Sequence, residues 1–156
     1  MKRILVTTDF STASRKAFAA AQEQVSLAGA SGVSVFLLTV LEDLAPTSVQ
    51  FEFGLAVVDS KAILDESFKQ AAAKLKEFAR EFFPDTHVET EVIRAAKPVY
   101  SEVIDYAVKQ DIDLIVMATH GRTGAKRFVL GSVSERVVRE APCAVLVVPA
   151  SESTAR

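Results

Sequence analysis

The chain has 156 residues, 49% of them hydrophobic and 24% charged, and its formal net charge at pH 7 is −2. These values suit a single globular domain, which we place at residues 1–150 before a polar C-terminal tail at residues 151–156. Because this slightly acidic balance leaves no broad basic field, we expect neither nucleic acid nor a membrane among the partners.

The cysteine content and the start of the chain bear on its location. A single cysteine, Cys143, rules out an intrachain disulfide and fits a reducing compartment. The basic N-terminus reaches Asp9 too early for the apolar segment of a signal peptide. No apolar run approaches the roughly 18 residues that span a bilayer. We therefore expect the protein in the cytoplasm.

The first part of the chain predicts a strand, a turn and a helix. A β-rich apolar run at residues 4–8 forms the strand. Asp9 and Ser11 compete as N-caps of the helix, which ends near Ala28 with Gly29 closing it.

A second strand and a long helix follow, separated by an irregular segment. Residues 33–40 are almost continuously apolar, which is typical of a strand buried on both faces of a parallel sheet. Residues 42–59 contain Pro46 and Gly54 and predict a long loop, either functional or simply packed on the surface. Residues 60–83 carry apolar side chains three and four positions apart, which predicts an amphipathic helix.

The second half of the chain continues the alternation of strands and helices. The polar alternation at 88–94 predicts a strand near a sheet edge. A helix begins with Pro98 in its first turn and ends near Lys109, and residues 113–118 form a fourth buried strand. The last helix and strand are predicted at 131–140 and 144–148.

This order of elements predicts an α/β fold, with an open, doubly wound, five-stranded parallel sheet and helices on both faces, as in Rossmann-like proteins. In such sheets ligands bind beyond the carboxyl ends of the strands, where the strand order reverses. The ends of the first, second and fourth strands are therefore the expected site.

The segment from Met117 to Ser134 carries the clearest chemical signal. Gly121 and Gly131 permit close approach of the backbone to a ligand. The start of the last helix offers free N–H groups and the positive end of its dipole to an anion, and Arg122 adds positive charge. The alternative is a purely structural loop, since Ser132 and Glu135 match a capping box.

At these residues the chain resembles the universal stress protein family. Nucleotide-binding members carry Gly-x2-Gly-x9-Gly-Ser/Thr, and this chain has Ala118-x2-Gly121-x9-Gly131-Ser132. The flanking segments DLIVMATHGRTG and GSVSERVVREAPCAVLVVP and the opening ILVTTDFSTAS also match. The similarity covers nearly the whole chain, and the loop at 42–59 is its least typical part.

The resemblance implies where the base and sugar of a bound nucleotide would lie. Asp9 would face the adenine or the ribose, with Thr7 and Thr8 on the same wall. Val40 would pack beside the adenine and offer backbone hydrogen bonds, while the ribose would lie close to two residues of the fourth strand, Met117 and Ala118. The structural alternatives are an Asp9 that only caps a helix and a Val40 that belongs to the core.

The resemblance places the phosphates at the following loop. Gly121 would border them, and the start of the last helix would bind them through N–H groups and hydroxyls of Gly131, Ser132, Val133 and Ser134. His120 and Arg122 would assist, although an isolated histidine such as His120 is more often a hydrogen-bonded loop residue.

Two departures from the family pattern concern the sugar side. Ala118 replaces the first glycine, and its methyl group is harmful only if the backbone there needs positive φ or very close contact with the ribose. Thr7 stands where many relatives have proline. These differences motivate the alternative of a family member that has lost nucleotide binding and works as a dimeric interaction protein.

No catalytic motif accompanies this site. The chain lacks a P-loop, a dinucleotide fingerprint and a nucleophile elbow, and two histidines and one cysteine offer no zinc constellation. We therefore expect a stress-response regulator or adaptor that binds ATP, with Mg²⁺ on the phosphates, and at most hydrolyses ATP weakly. The apolar strand Ala144–Val148 predicts a homodimer through the last strand, as is common in the family.

Overall fold

The computed structural model describes residues 2–42, 60–119 and 130–149. Within them the elements are β1 (Lys2–Thr7), α1 (Thr12–Ala28), a single 3-10 turn (Ala30–Gly32), β2 (Val33–Leu41), α2 (Ser60–Phe82), β3 (His87–Arg94), α3 (Val99–Lys109), β4 (Leu114–Ala118), α4 (Ser132–Glu140) and β5 (Ala144–Val148). Apart from the 3-10 turn, which was not predicted, each lies within a residue or two of its predicted position. Beyond Glu42, the predicted loop at 42–59 lies outside the described residues, as does the tail at 151–156.

The five strands form one parallel sheet in the order β3-β2-β1-β4-β5, which confirms the predicted fold class. The chain first builds outward from β1 to β2 and β3, and then returns to the other side of β1 with β4 and β5. The strand order therefore reverses between β1 and β4. β3 and β5 are the two edge strands of this sheet, and the polar sequence of β3 predicted its place.

Each face of the sheet is covered by two of the described helices. Ile4 and Val6 of β1 pack in the core beneath α1 and α2, whereas Leu5 between them packs beneath α3 and α4. This alternation follows from the two-residue period of a strand. Since β1 and β2 are buried on both faces, their continuous apolar runs were a sound basis for predicting a parallel sheet.

The helix ends follow local sequence signals, with one shift. Ser11 is the N-cap of α1, because its side chain accepts a hydrogen bond from the Ser14 N–H. Asp9, the other candidate, is therefore not the N-cap. Gly29 closes α1 with φ +78°, in the region that favours glycine. Pro98 is the N-cap of α3 and not a residue of its first turn, so the helix begins one position later than predicted.

An aromatic cluster joins α1 to α2. Phe18 is fully buried, and its ring centroid lies 5.1 Å from that of Phe78, 4.9 Å from that of Phe82 and 6.4 Å from that of Phe83. The Phe18 and Phe78 rings meet edge to face, the arrangement that the charge distribution of aromatic rings favours. Phe18 is therefore the main packing link between the two helices on this face.

Replacing Phe18 tests this role. We expect Phe18→Ala to lower the free energy of unfolding by about 3–5 kcal/mol, because the surrounding rings cannot fill the cavity it leaves. Urea unfolding monitored by circular dichroism measures the change. Leu27→Ala, on the same helix but 81% exposed, is the control and should change the value by less than about 0.5 kcal/mol. A similar loss in both variants would contradict the assignment.

Candidate functional site

A cavity of about 150 Å³ lies at the carboxyl ends of β1, β2 and β4, where the strand order reverses. Most of the predicted site residues in the described part of the chain line it: Thr7, Thr8, Asp9, Val40, Met117, Ala118, Gly131, Val133 and Ser134. The predicted residues His120, Gly121 and Arg122 lie outside the described residues. The structure thus brings together positions that are up to 127 residues apart, from Thr7 to Ser134.

The cavity opens on the face of the sheet that α3 and α4 cover. Leu38 and Met117 form part of its floor, and both also belong to the core beneath these helices. Val99 and Val103 of α3 form one wall, and Val133 of α4 forms another. The lining is therefore largely apolar, with polar groups concentrated at the ends of β1 and β4 and at the start of α4.

Sequence reasoning missed several lining residues: Ser14, Leu38, Val99, Val103 and Thr119. Val99 and Val103 are four positions apart on one face of α3, and this spacing is the same for a core-facing stripe as for a cavity wall. Only the packing of α3 against the strand ends distinguishes the two. Thr119 directly follows β4, so its place at the strand end could have indicated it.

The turn between β1 and α1 holds Asp9 at the cavity. Asp9 Oδ1 accepts a hydrogen bond from the Ser11 N–H at 2.9 Å, which is the pattern of an Asx turn. Phe10, the next residue, has φ +64°, a left-handed conformation that is unusual for a bulky side chain. Ser11 rather than Asp9 therefore caps α1, and Asp9 lines the cavity.

Ala118 is the last residue of β4 and pairs in register with Val148 of β5. The φ angle of Ala118 is not positive, since Phe10 and Asp111 are the non-glycine residues with positive φ in the described part of the chain. Its methyl group therefore causes no backbone strain. The replacement of the family's first glycine is compatible with the local backbone and adds one methyl group to the cavity wall.

The start of α4 differs from the predicted capping box. Gly131 is the N-cap and Ser132 is already the first helical residue, so the capping-box prediction for Ser132 and Glu135 is wrong. Instead, the Glu135 N–H donates to the Gly131 carbonyl at 2.9 Å, and the Glu135 carboxylate accepts from Arg139. The Glu135 side chain thus turns along the helix rather than back to its start.

Two groups expected to meet a phosphate already have partners. The Gly131 N–H donates to the Thr119 carbonyl at 2.7 Å. The Ser134 hydroxyl lies 2.9 Å from both the Thr119 and the Gly131 carbonyls. These bonds tie the start of α4 to the end of β4. Anion binding by Gly131 and by the Ser134 hydroxyl would require an exchange of partners.

The remaining donors are the first N–H groups of the helix itself. Ser132, Val133 and Ser134 are the first three residues of α4, whose N–H groups have no acceptor within the helix. Val133 and Ser134 line the cavity, while Ser132 lines a second cavity of about 330 Å³ that adjoins it through Val99 and Val133. Among the described lining residues of both cavities, Arg136 is the one cationic side chain.

A metal site, a reactive thiol and a membrane-spanning helix are three further features that the described residues could carry. These residues contain no group of three or more His, Cys, Asp or Glu side chains that could hold a metal ion. Burial raises the pKa of the Cys143 thiol, so the reactive thiolate is disfavoured at neutral pH. In the same residues, no helix has the length and apolar character needed to cross a membrane.

Fold and cavity together define a class: a small, doubly wound α/β domain with a cleft at its topological switch point. The sequence matches the model of the universal stress protein family over residues 1–149, and the chain belongs to that family. It is 33% identical over 147 residues to universal stress protein MJ0531 of Methanocaldococcus jannaschii, covering 94% of this chain and 81% of that protein. Universal stress protein YxiE of Bacillus subtilis is 30% identical over 148 residues, covering 94% and 97%.

Solved structures agree with this assignment. The structure of MJ0577, also from M. jannaschii, superposes with a TM-score of 0.79 at 25% identity, covering 97% of this chain and 98% of that one. A universal stress protein in complex with cAMP (TM-score 0.63, 22% identity, covering 96% and 98%) shares the fold. So does an Arabidopsis thaliana family member with AMP bound (TM-score 0.62, 15% identity, covering 97% and 93%).

Ser134→Ala tests the tie between α4 and β4. Because the hydroxyl is buried and shares its single proton between two carbonyls at hydrogen-bond distance, we expect a loss of about 1 kcal/mol in the free energy of unfolding. Ser26→Ala is a matched control, since the Ser26 hydroxyl also bonds a helix carbonyl, that of Gln22, but is exposed. Chemical denaturation compares the two. An equal effect at both positions would argue against a special role for Ser134.

Proposed function

We propose that this protein binds an adenine nucleotide, with ATP the first candidate, in the cavity at the ends of β1, β2 and β4, and acts as a stress-response regulator or adaptor. The observation that carries the proposal is the position of the α4 N-terminus on the rim of a largely apolar cavity at the switch point. An apolar floor suits a base, and a helix start suits a phosphate. The cell compartment we propose is the cytoplasm.

The base and sugar are proposed to lie against the strand ends. Val40 and Met117 offer apolar surface, and the Val40 backbone would offer hydrogen bonds to the edge of a base. Asp9 keeps one carboxylate oxygen after its bond to the Ser11 N–H, and a carboxylate oxygen accepts hydrogen bonds from ribose hydroxyls. Ala118, in strand conformation, leaves the sugar side open except for its methyl group.

The phosphates are proposed to lie at the start of α4, against the N–H groups of Ser132, Val133 and Ser134. The cavity of about 150 Å³ is smaller than the roughly 300–1,000 Å³ typical of pockets that enclose a whole ligand. We therefore expect the phosphate tail to extend beyond it, towards the second cavity or the segment 120–129. Mg²⁺, where present, would be held mainly by phosphate oxygens and water.

The family relationship supports the choice of ligand class. Solved relatives with the same fold hold cAMP and AMP, and a family member from Archaeoglobus fulgidus holds dAMP (TM-score 0.56, 20% identity, covering 94% of this chain and 97% of that one). Each of these ligands contains an adenine base and one phosphate. A site for adenine and at least one phosphate is thus the shared element that we extend to this chain.

A homodimer through β5 is our second proposal. β5 is an edge strand, and one side of its backbone has no partner strand within the described residues. The side chains of Val145 to Val148 are half-buried on the isolated chain. Pairing with β5 of a second copy would complete the hydrogen bonds of this edge and bury these side chains further.

Isothermal titration calorimetry tests nucleotide binding. We expect the wild-type protein to bind ATP with Mg²⁺, and Ala118→Leu to weaken binding at least about tenfold, or about 1.4 kcal/mol, because the larger side chain enters the cavity. Ala28→Leu, which makes the same change at the exposed end of α1, should leave the affinity unaltered. Parallel titrations with ADP, AMP and cAMP rank the ligands.

The same titration distinguishes a nucleotide-binding protein from a family member that has lost nucleotide binding. No heat and no thermal shift at millimolar ATP would contradict the proposal and favour an interaction protein without a nucleotide. If Ala118→Gly then created binding that the wild type lacks, the alanine methyl group would be the cause. Binding by the wild type with an unchanged affinity in Ala118→Gly would agree with the strand conformation of Ala118.

Light scattering tests the dimer. We expect a mass close to twice the 16.9 kDa of the chain at micromolar concentration. Val147→Lys should shift the equilibrium to the monomer, because a charge beside a paired edge opposes pairing. Val108→Lys, on an exposed position of α3, is the control and should remain dimeric. A monomer at all concentrations would overturn this proposal.

A further inference from the structure

We propose that the hydroxyl groups of Thr8 and Ser14 are a positioning pair that fixes the Asp9 carboxylate at the cavity and so sets a preference for ligands with ribose hydroxyls. The inference deepens the proposed function and rests on it. Thr8 and Ser14 both line the cavity, yet both are buried and hydrogen-bonded within the protein. Their role is therefore to hold other groups in place.

The direction of the hydrogen bonds follows from counting protons. The Ser14 hydroxyl donates to the Ser11 carbonyl at 2.7 Å, and it has a single hydrogen to give. In its contact of 2.9 Å with Thr8, Ser14 must therefore accept, so the Thr8 hydroxyl donates. The Thr8 oxygen in turn accepts from the Phe10 N–H at 3.0 Å. Both hydroxyl protons are committed, and neither is free to reach a ligand.

This chain of bonds supports an unfavourable backbone. Phe10 has φ +64°, a conformation that a bulky side chain adopts only when its surroundings impose it. The Thr8 oxygen accepts a hydrogen bond from the Phe10 N–H. The centroid of the Phe10 ring lies 6.0 Å from that of Phe78 and 5.2 Å from the Lys74 ammonium nitrogen. The turn is thus fixed from the cavity side by hydroxyls and from the α2 side by an aromatic contact.

The turn determines what Asp9 presents to the cavity. Its Oδ1 is held by the Ser11 N–H at 2.9 Å, and within the described residues Oδ2 has no hydrogen bond of its own. An ionised carboxylate only accepts hydrogen bonds, so it favours a ligand that offers donors, such as the neighbouring hydroxyls of a ribose. A site built to bond a hydroxyl discriminates against an analogue that lacks it.

The test compares ATP with 2′,3′-dideoxy-ATP by calorimetry. We expect the wild type to bind ATP at least about tenfold more tightly, a ratio that corresponds to the loss of hydrogen bonds to a charged group. Ser14→Ala and Thr8→Val should reduce this preference to less than about threefold, because they lower the affinity for ATP and not that for dideoxy-ATP. Thr8→Ser keeps the hydroxyl and should therefore keep the preference for ATP.

Ser34→Ala is the matched control, because Ser34 is as buried as Ser14 but lies at the opposite end of β2. It should leave the affinity for both nucleotides unchanged. If Ser14 and Thr8 had a merely structural role, their variants would lower the affinities for ATP and dideoxy-ATP equally. That result would overturn the proposal.

A measurement without ligand separates this proposal from the proposed function. In amide hydrogen exchange by NMR, we expect the Phe10 and Ser11 amides to exchange at least about tenfold faster in Thr8→Val and Ser14→Ala than in the wild type. Unchanged rates would refute the positioning role even if ATP binds. If the wild type binds neither nucleotide, the proposed function fails and the ribose preference falls with it, while faster exchange would still support the positioning of the turn.

Discussion

The pairing of β1 with β4 is the constraint on which the rest of the structure depends. It places Ile4, Leu5 and Val6 opposite Leu114, Ile115 and Val116, residues more than a hundred positions later. Because β2 is already on the other side of β1, the chain must reverse its direction of growth there. The helices that follow β1 and β4, α1 and α4, lie on opposite faces of the sheet, and the cavity lies at the carboxyl ends of these strands.

This arrangement divides polar groups at the cavity into two sets. Thr8, Ser14 and Ser134 are buried, and their hydroxyls are bonded to the protein, so they hold the turn after β1 and the start of α4 in place. Asp9 and the N–H groups at the start of α4 keep capacity to meet a ligand. A ligand bound here would meet acceptor and donor groups whose positions are already fixed, which would reduce the ordering cost of binding.

The sequence predicted the fold well, because the cues were strong and local. Continuous apolar runs identified β2 and β4, and strand ends then placed Val40 and Met117 at the cavity. Val99 and Val103 were missed because a helix stripe that faces a cavity has the same spacing as one that faces a core. The hydroxyl network escaped prediction because it depends on left-handed Phe10, and phenylalanine carries no turn signal. Ser132 failed as a cap because Gly131 already occupies that position.

The central claim is that a nucleotide occupies the cavity at the switch point. Methyl NMR during a titration with ATP and Mg²⁺ tests it most directly. We expect the methyl signals of Met117, Val99 and Val133 to shift together and saturate, while those of Val25 and Val35, in the core beneath α1 and α2, stay in place. Shifts confined to methyl groups away from the cavity, or none at millimolar ATP, would contradict the account.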